Sequence, residues 1–133
     1  MSTTDDMLAL ALAMRDRAYA PYSNFPVAAV VKGANGKLYG GCNVENAAYP
    51  LGNCAEATAI FSMVADGERK IVEVLVLGPE GELITPCGSC RQRLREFASD
   101  DLPIHLAGIG GINRTVTLGT LLPLSFGPSH LGK

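Results

Sequence analysis

Ile71-Val72-Glu73-Val74-Leu75-Val76-Leu77 is a nearly continuous apolar run. A strand with one wet face alternates apolar and polar residues, whereas a strand covered on both faces reads as an unbroken apolar stretch. The flanking segments supply the cover. Upstream, Cys54 to Ala65 reads as a helix ending near Asp66-Gly67. Downstream, Gly78-Pro79-Glu80-Gly81 turns the chain, and Leu83-Ile84 either extends the sheet or leads into the next motif. Cys87 to Phe97 then reads as a helix with Leu94 and Phe97 toward the core. Helices that follow strands in this order indicate crossover connections between parallel neighbours.

Further out, a first helix is expected from about Asp5 to Tyr19. Met7, Leu10, Ala11, Met14 and Ala18 recur on one face, and Thr3 with Asp6 offers an N-terminal cap. Ala20-Pro21-Tyr22-Ser23-Asn24 breaks it. Val27 to Val31 and Lys37 to Cys42 read as strands around an Asn35-Gly36 turn, followed by a polar loop from Asn43 to Asn53. Pro103 to Ala107 and Thr115 to Leu118 form two more strands, joined through Gly108-Ile109-Gly110-Gly111. A short helix at Thr120–Leu122 precedes Pro123, and the tail is expected to be loose from about Gly127. The fold class is α/β: a three-layer α/β/α sandwich around one five-stranded mixed sheet, with residues 1–133 as a single domain.

The 133 residues suffice for a continuous core. A net charge of -2 leaves no electrostatic footprint for nucleic acid or an anionic membrane, so a small-molecule substrate is favoured. No apolar run approaches the roughly 20 residues of a membrane helix. The start, Met1-Ser2-Thr3-Thr4-Asp5-Asp6, lacks the basic and apolar parts of a secretory signal, so a cytoplasmic location is expected. In a reducing compartment the four cysteines are not expected to pair as disulfides. Cys42 reads as a small buried hydrophobe.

The other three cysteines carry chemistry. Cys54-Ala55-Glu56 and Pro86-Cys87-Gly88-Ser89-Cys90 supply three thiols and one carboxylate. Three protein ligands leave a metal position open for water, as catalytic zinc sites do. Cys87 and Cys90 lie one helical turn apart and grip one ion together, while Cys54 comes from elsewhere in the fold. Cys87-x-x-Cys90 alone would equally suit a structural zinc or a redox pair. Cys42, His105 and His130 show no spacing that completes a four-ligand set; His105 reads as a satisfied strand residue. Two residues along a regular helix is about 200°, so Glu56 joins Cys54 only if Cys54 sits at the helix entry, before the backbone turns helical.

Together with Ala20-Pro21-Tyr22-Ser23-Asn24-Phe25-Pro26-Val27, Gly41-Cys42-Asn43-Val44-Glu45-Asn46-Ala47-Ala48-Tyr49, Arg91-Gln92 and Leu121-Leu122-Pro123, these motifs resemble the short, homotetrameric cytidine deaminases over nearly the whole chain. The resemblance implies one Zn²⁺ per subunit on Cys54, Cys87 and Cys90, with Glu56 as the catalytic acid and base. It implies hydrolysis of cytidine and 2′-deoxycytidine, in pyrimidine salvage. By matching position, Asn43 and Glu45 hold the ribose 3′-hydroxyl and Phe25 packs on the pyrimidine. The Ala55 backbone meets the base edge and the Thr85 carbonyl meets the amino group. Ala47, Tyr49 and Phe126 reach a neighbouring subunit's site. A deaminase of another cytosine nucleoside, such as blasticidin S, and a non-catalytic zinc-stabilised binding module are the competing readings; Glu56 argues against the second.

Three positions depart from the family pattern. Ala57 stands where many members carry Arg, Ala28 where Gly is frequent, and Pro50 is unusual after Tyr49. Ala28 and Pro50 are expected to reshape the pocket wall. Without Arg at 57, helix N-termini and Arg91 are expected to offset the negative charge of three thiolates on Zn²⁺.

Overall fold

A computed structural model describes residues 3–80 and 82–133. Met1, Ser2 and Gly81, the last residue of the expected turn, lie outside the described residues. The elements run α1 (Thr4–Arg15), β1 (Ala28–Gly33), β2 (Leu38–Cys42), α2 (Ala55–Ala65), β3 (Ile71–Leu77), α3 (Gly88–Phe97), β4 (Pro103–Gly108), β5 (Gly111–Thr117) and α4 (Leu118–Leu121). The strands form one mixed sheet in the order β2-β1-β3-β4-β5.

The apolar run becomes the central strand, β3. Its side chains divide between two cores, as the pleat requires. Leu75 and Leu77 join Met7 and Ala11 of α1, with Ala28 and Val30 of β1. Val74 and Val76 join Ala59, Ile60 and Met63 of α2 and Leu94 of α3. Helices therefore cover both faces, giving the expected three layers. Each fully buried Val or Leu contributes about 1.5–3 kcal/mol, so β3 anchors both cores.

The strand pairing differs in one respect from the expectation. β3 and β4 are parallel neighbours, joined through α3. β2 and β3, joined through α2, are not neighbours, because β1 lies between them and pairs antiparallel with both. The hairpin explains this: β2 folds back onto the outer side of β1 and takes the sheet edge. Leu83-Ile84 forms no strand.

The first helix stops at Arg15 rather than Tyr19, because the chain turns at residues 16–17 and Tyr19 instead bridges to Val44. Its start is a full capping box: the Asp6 amide donates to Thr3 Oγ1 at 3.2 Å and the Thr3 amide to Asp6 Oδ2 at 3.1 Å. The tail from Gly127 is not loose. It closes into a 3-10 turn at Pro128–Leu131, with the His130 ring stacked on Phe126 at 5.1 Å. Gln92 of α3 donates to the Phe126 carbonyl at 2.8 Å and ties the tail down.

Gly40 and Gly41 let β2 be squeezed from both sides. A Cβ on Gly40 would come within 2.8 Å of Met14 in α1, and one on Gly41 within 2.5 Å of the Ala55 carbonyl and the Ala59 amide in α2. The second clash is with backbone, so it is relieved only by moving the helix. Gly41→Ala is expected to destabilise the fold by about 1–3 kcal/mol. A urea midpoint equal to that of the parent would contradict this close packing.

Candidate metal centre and pocket

The N-termini of α2 and α3 converge. Cys54 is the N-cap of α2 (φ -72°, ψ 159°) and Cys87 the N-cap of α3 (φ -65°, ψ 167°), both in extended backbone. This resolves the angular conflict between Cys54 and Glu56. Because Cys54 precedes the helix, its sulfur and the Glu56 carboxyl serve one pocket. Cys90 lies within the first turns of α3 and is fully buried.

The sulfurs of Cys54 and Cys87 are 3.6 Å apart, and all three sulfurs lie within 4.8 Å of one another. Tetrahedral zinc with sulfurs at about 2.3 Å spaces them about 3.8 Å apart, so this donor set fits zinc. All four cysteines are free thiols, and Cys42 stands outside the cluster. Among the described residues no fourth His, Cys, Asp or Glu joins the group, which matches an open site rather than a closed structural one.

The thiols share protons. A hydrogen bond from Cys90 lowers the pKa of Cys54 to about 6, helped by Cys87 and the charge of Arg93. Cys90 is shifted the opposite way, as the donor in that bond and because it is buried. Glu56 is only 3% exposed. Burial pushes its carboxyl up to about 7, with the nearby Cys54 charge adding to the rise and Arg93 opposing it.

A cavity of about 270 Å³ opens beside these groups, lined by Phe25, Val27, Asn43, Cys54, Ala55, Glu56, Ile84, Thr85 and Cys87. Most of the residues expected from the sequence therefore meet in one place. Asn43 holds its own loop as well: it donates from Nδ2 to the Phe25 carbonyl at 2.9 Å and accepts at Oδ1 from the Val27 amide at 2.9 Å. Glu45 and Tyr49 line a neighbouring cavity instead, with Tyr22 and Ser23. The Glu45 carboxylate accepts from the backbone amides of Tyr22 (3.0 Å) and Ser23 (3.1 Å) and from the Ser23 hydroxyl. The Ser23 hydrogen bond, more than any other contact, holds the Glu45 carboxyl below its usual range. Ala47 and Phe126 are exposed and line neither cavity.

Two expectations need correction. Neither Ala28 nor Pro50 lines either of these two cavities in the single chain. Ala28 is buried in the core beneath α1, and Pro50 sits in an exposed 3-10 turn at Tyr49–Leu51. Arg91 is not the cation beside the thiols. Its guanidinium donates to the Pro86 carbonyl (2.7 Å), the Leu121 carbonyl (2.8 Å) and the Thr85 hydroxyl (2.9 Å), which fixes the loop entering α3. The residue at the sulfurs is Arg93, 3.7 Å from Cys90 Sγ. His105 is satisfied, as expected, by Glu73 at 2.6 Å and Thr115 at 2.9 Å.

An α/β sandwich with a three-thiol site at two helix N-termini and a buried carboxyl beside it defines a zinc-dependent hydrolytic centre. Residues 1–106 match the cytidine and deoxycytidylate deaminase zinc-binding region. The chain belongs to this family. It is 41% identical to the cytidine deaminase of Sporosarcina psychrophila over 117 residues, covering 88% of this chain and 86% of that protein. It is 38% identical to the cytidine deaminase of Halalkalibacterium halodurans over 116 residues, with 87% and 88% coverage. The crystal structure of cytidine deaminase from Burkholderia pseudomallei superposes with a TM-score of 0.86 at 43% identity, covering 94% of this chain and all of that one.

Proposed function

We propose that the chain hydrolyses cytidine and 2′-deoxycytidine to uridine and 2′-deoxyuridine, releasing ammonia. The observation that carries this reading is Glu56, almost wholly buried beside the three thiols at the head of the pocket. Zinc, held by Cys54, Cys87 and Cys90, supplies the Lewis acidity that activates water near neutral pH. Glu56 takes one proton of the attacking water and delivers it to the ring nitrogen, then takes the second from the new hydroxyl on the ring carbon and delivers it to the departing amine, which leaves as ammonia. Phe25 packs on the pyrimidine, the Ala55 backbone meets the base edge, and the Thr85 carbonyl accepts from the amino group.

In this reading Asn43 and Glu45 hold the ribose 3′-hydroxyl. Asn43 lines the pocket and also braces the Phe25 loop, so it orients sugar and base together. Glu45 accepts two amides at Oε1 and one hydroxyl at Oε2, which leaves an Oε2 lone pair to accept from a sugar hydroxyl. The site is shared in a homotetramer, where Ala47, Tyr49 and Phe126 complete a neighbour's pocket. In support, Tyr49 is 75% and Phe126 57% exposed, and the cavity of one chain falls below the roughly 300–1,000 Å³ of a usual ligand site. No helix among the described residues is long and apolar enough to cross a membrane. The four free thiols support a cytoplasmic setting.

The test is an absorbance assay with cytidine, deoxycytidine and blasticidin S, before and after zinc removal. Ammonia release from the first two that stops with zinc removal and returns with zinc is the expected result. Turnover of blasticidin S alone, or release unaffected by zinc removal, would overturn the assignment.

A further inference from the structure

We propose that Arg93 is a positioning residue for the metal centre: it supplies the positive charge that lets three thiolates hold a divalent ion. The proposal rests on the zinc assignment above. Three thiolates with Zn²⁺ sum to a net charge of -1. Cys90 is fully buried, so the negative charge left after zinc is bound is stabilised by the two helix N-termini and by any cation placed beside it.

Arg93 is placed to do so twice. Its Nη1 lies 3.7 Å from Cys90 Sγ and 3.4 Å from Ser89 Oγ. The Ser89 hydroxyl in turn lies 3.2 Å from Cys87 Sγ. One guanidinium thus touches one ligand directly and a second through a hydroxyl. Helical spacing makes this possible, since Arg93 is three residues beyond Cys90 and four beyond Ser89 and shares their face of α3. The matching position on α2, three residues beyond Cys54, is Ala57, which is fully buried and carries no charge. Arg91, the other arginine of the same turn, is taken up by two carbonyls and the Thr85 hydroxyl.

Arg93 also lines the solvent-facing groove between α2 and α3, with Ile60, Phe61, Val64, Phe97 and the exposed Gln92 and Glu96. Partners that orient metal ligands from outside the coordination sphere typically account for about 10–100-fold in metal affinity.

The experiment follows zinc transfer from loaded protein to a chromogenic chelator in wild type, Arg93→Gln, Arg93→Lys and Arg114→Gln, with circular dichroism as the check on folding. Arg114 is exposed on β5 and serves as the control. Arg93→Gln is expected to release zinc about 10–100-fold faster, Arg93→Lys within about threefold of wild type, and Arg114→Gln at the wild-type rate. A folded Arg93→Gln that holds zinc as tightly as wild type would overturn the proposal. Should Arg93→Gln lose its fold, Arg93→Lys decides alone, since release far faster than wild type would exclude charge as the operative property. Failure of wild-type protein to bind zinc would instead remove the metal reading on which this rests.

Discussion

Glu56→Gln is expected to keep zinc and to lower turnover of cytidine by at least about a thousand-fold. General acid–base catalysis contributes about 10²–10⁴-fold, and in the proposed mechanism one carboxyl serves each proton transfer in turn. Gln fills the same volume and still hydrogen-bonds, so the helix N-terminus and the thiols keep their arrangement. What it lacks is a removable proton and a basic oxygen. Glu56 is 3% exposed, so bulk water has little access to its carboxyl position with which to substitute for the lost group. Zinc content and thermal midpoint should match or exceed the parent values, because burial already disfavours the ionised carboxyl. Turnover within tenfold of wild type would remove Glu56 from the chemistry.

Cys87→Ala is expected to abolish both zinc binding and turnover. With Cys87 gone, the remaining thiols are Cys54 at one helix entry and Cys90 inside the other helix. Two sulfurs do not make a lasting zinc site where three or four protein ligands are the norm. The variant should still fold, since Cys87 is exposed and belongs to neither core. Elemental analysis after dialysis against a chelator should fall from about one zinc per chain to near none, with unchanged far-ultraviolet circular dichroism. Full zinc retention in that variant would place the metal elsewhere.

The fold was legible in the sequence where one local signal dominated. The nearly continuous apolar run at Ile71–Leu77 announced a strand buried on two faces, and the Asn35-Gly36 turn announced the β1–β2 hairpin. The last strand starts at Gly111 rather than Thr115, because the free edge of β4 pairs with Ile112 and Arg114 and the ladder runs on past a bulge at Asn113. The tail hid its order for a related reason: its fixing contacts come from Gln92 and from stacking on Phe126, residues outside the segment.

The metal centre was legible for a chemical reason. Few functions need three thiols and a carboxyl at these spacings. Its charge balance was not, because Arg91 and Arg93 look alike in a helical run of Arg-Gln-Arg. Only the direction of each side chain separates the loop brace from the sulfur partner. Glu45 was similarly opaque, since its partners at Tyr22 and Ser23 are more than twenty positions away.

The two helix caps also bear on stability. Cys54 and Cys87 lie 33 positions apart, and an ion gripped by both ties the chain into a closed loop. A covalent cross-link over that span would remove about 3–4 kcal/mol of chain entropy from the unfolded state. A metal clip acts in the same sense but reversibly. Folding and zinc supply are thereby linked by mass action: above the dissociation constant, each tenfold rise in free zinc adds about 1.4 kcal/mol to the folded state. The melting temperature of this protein is therefore a gauge of the zinc available to it.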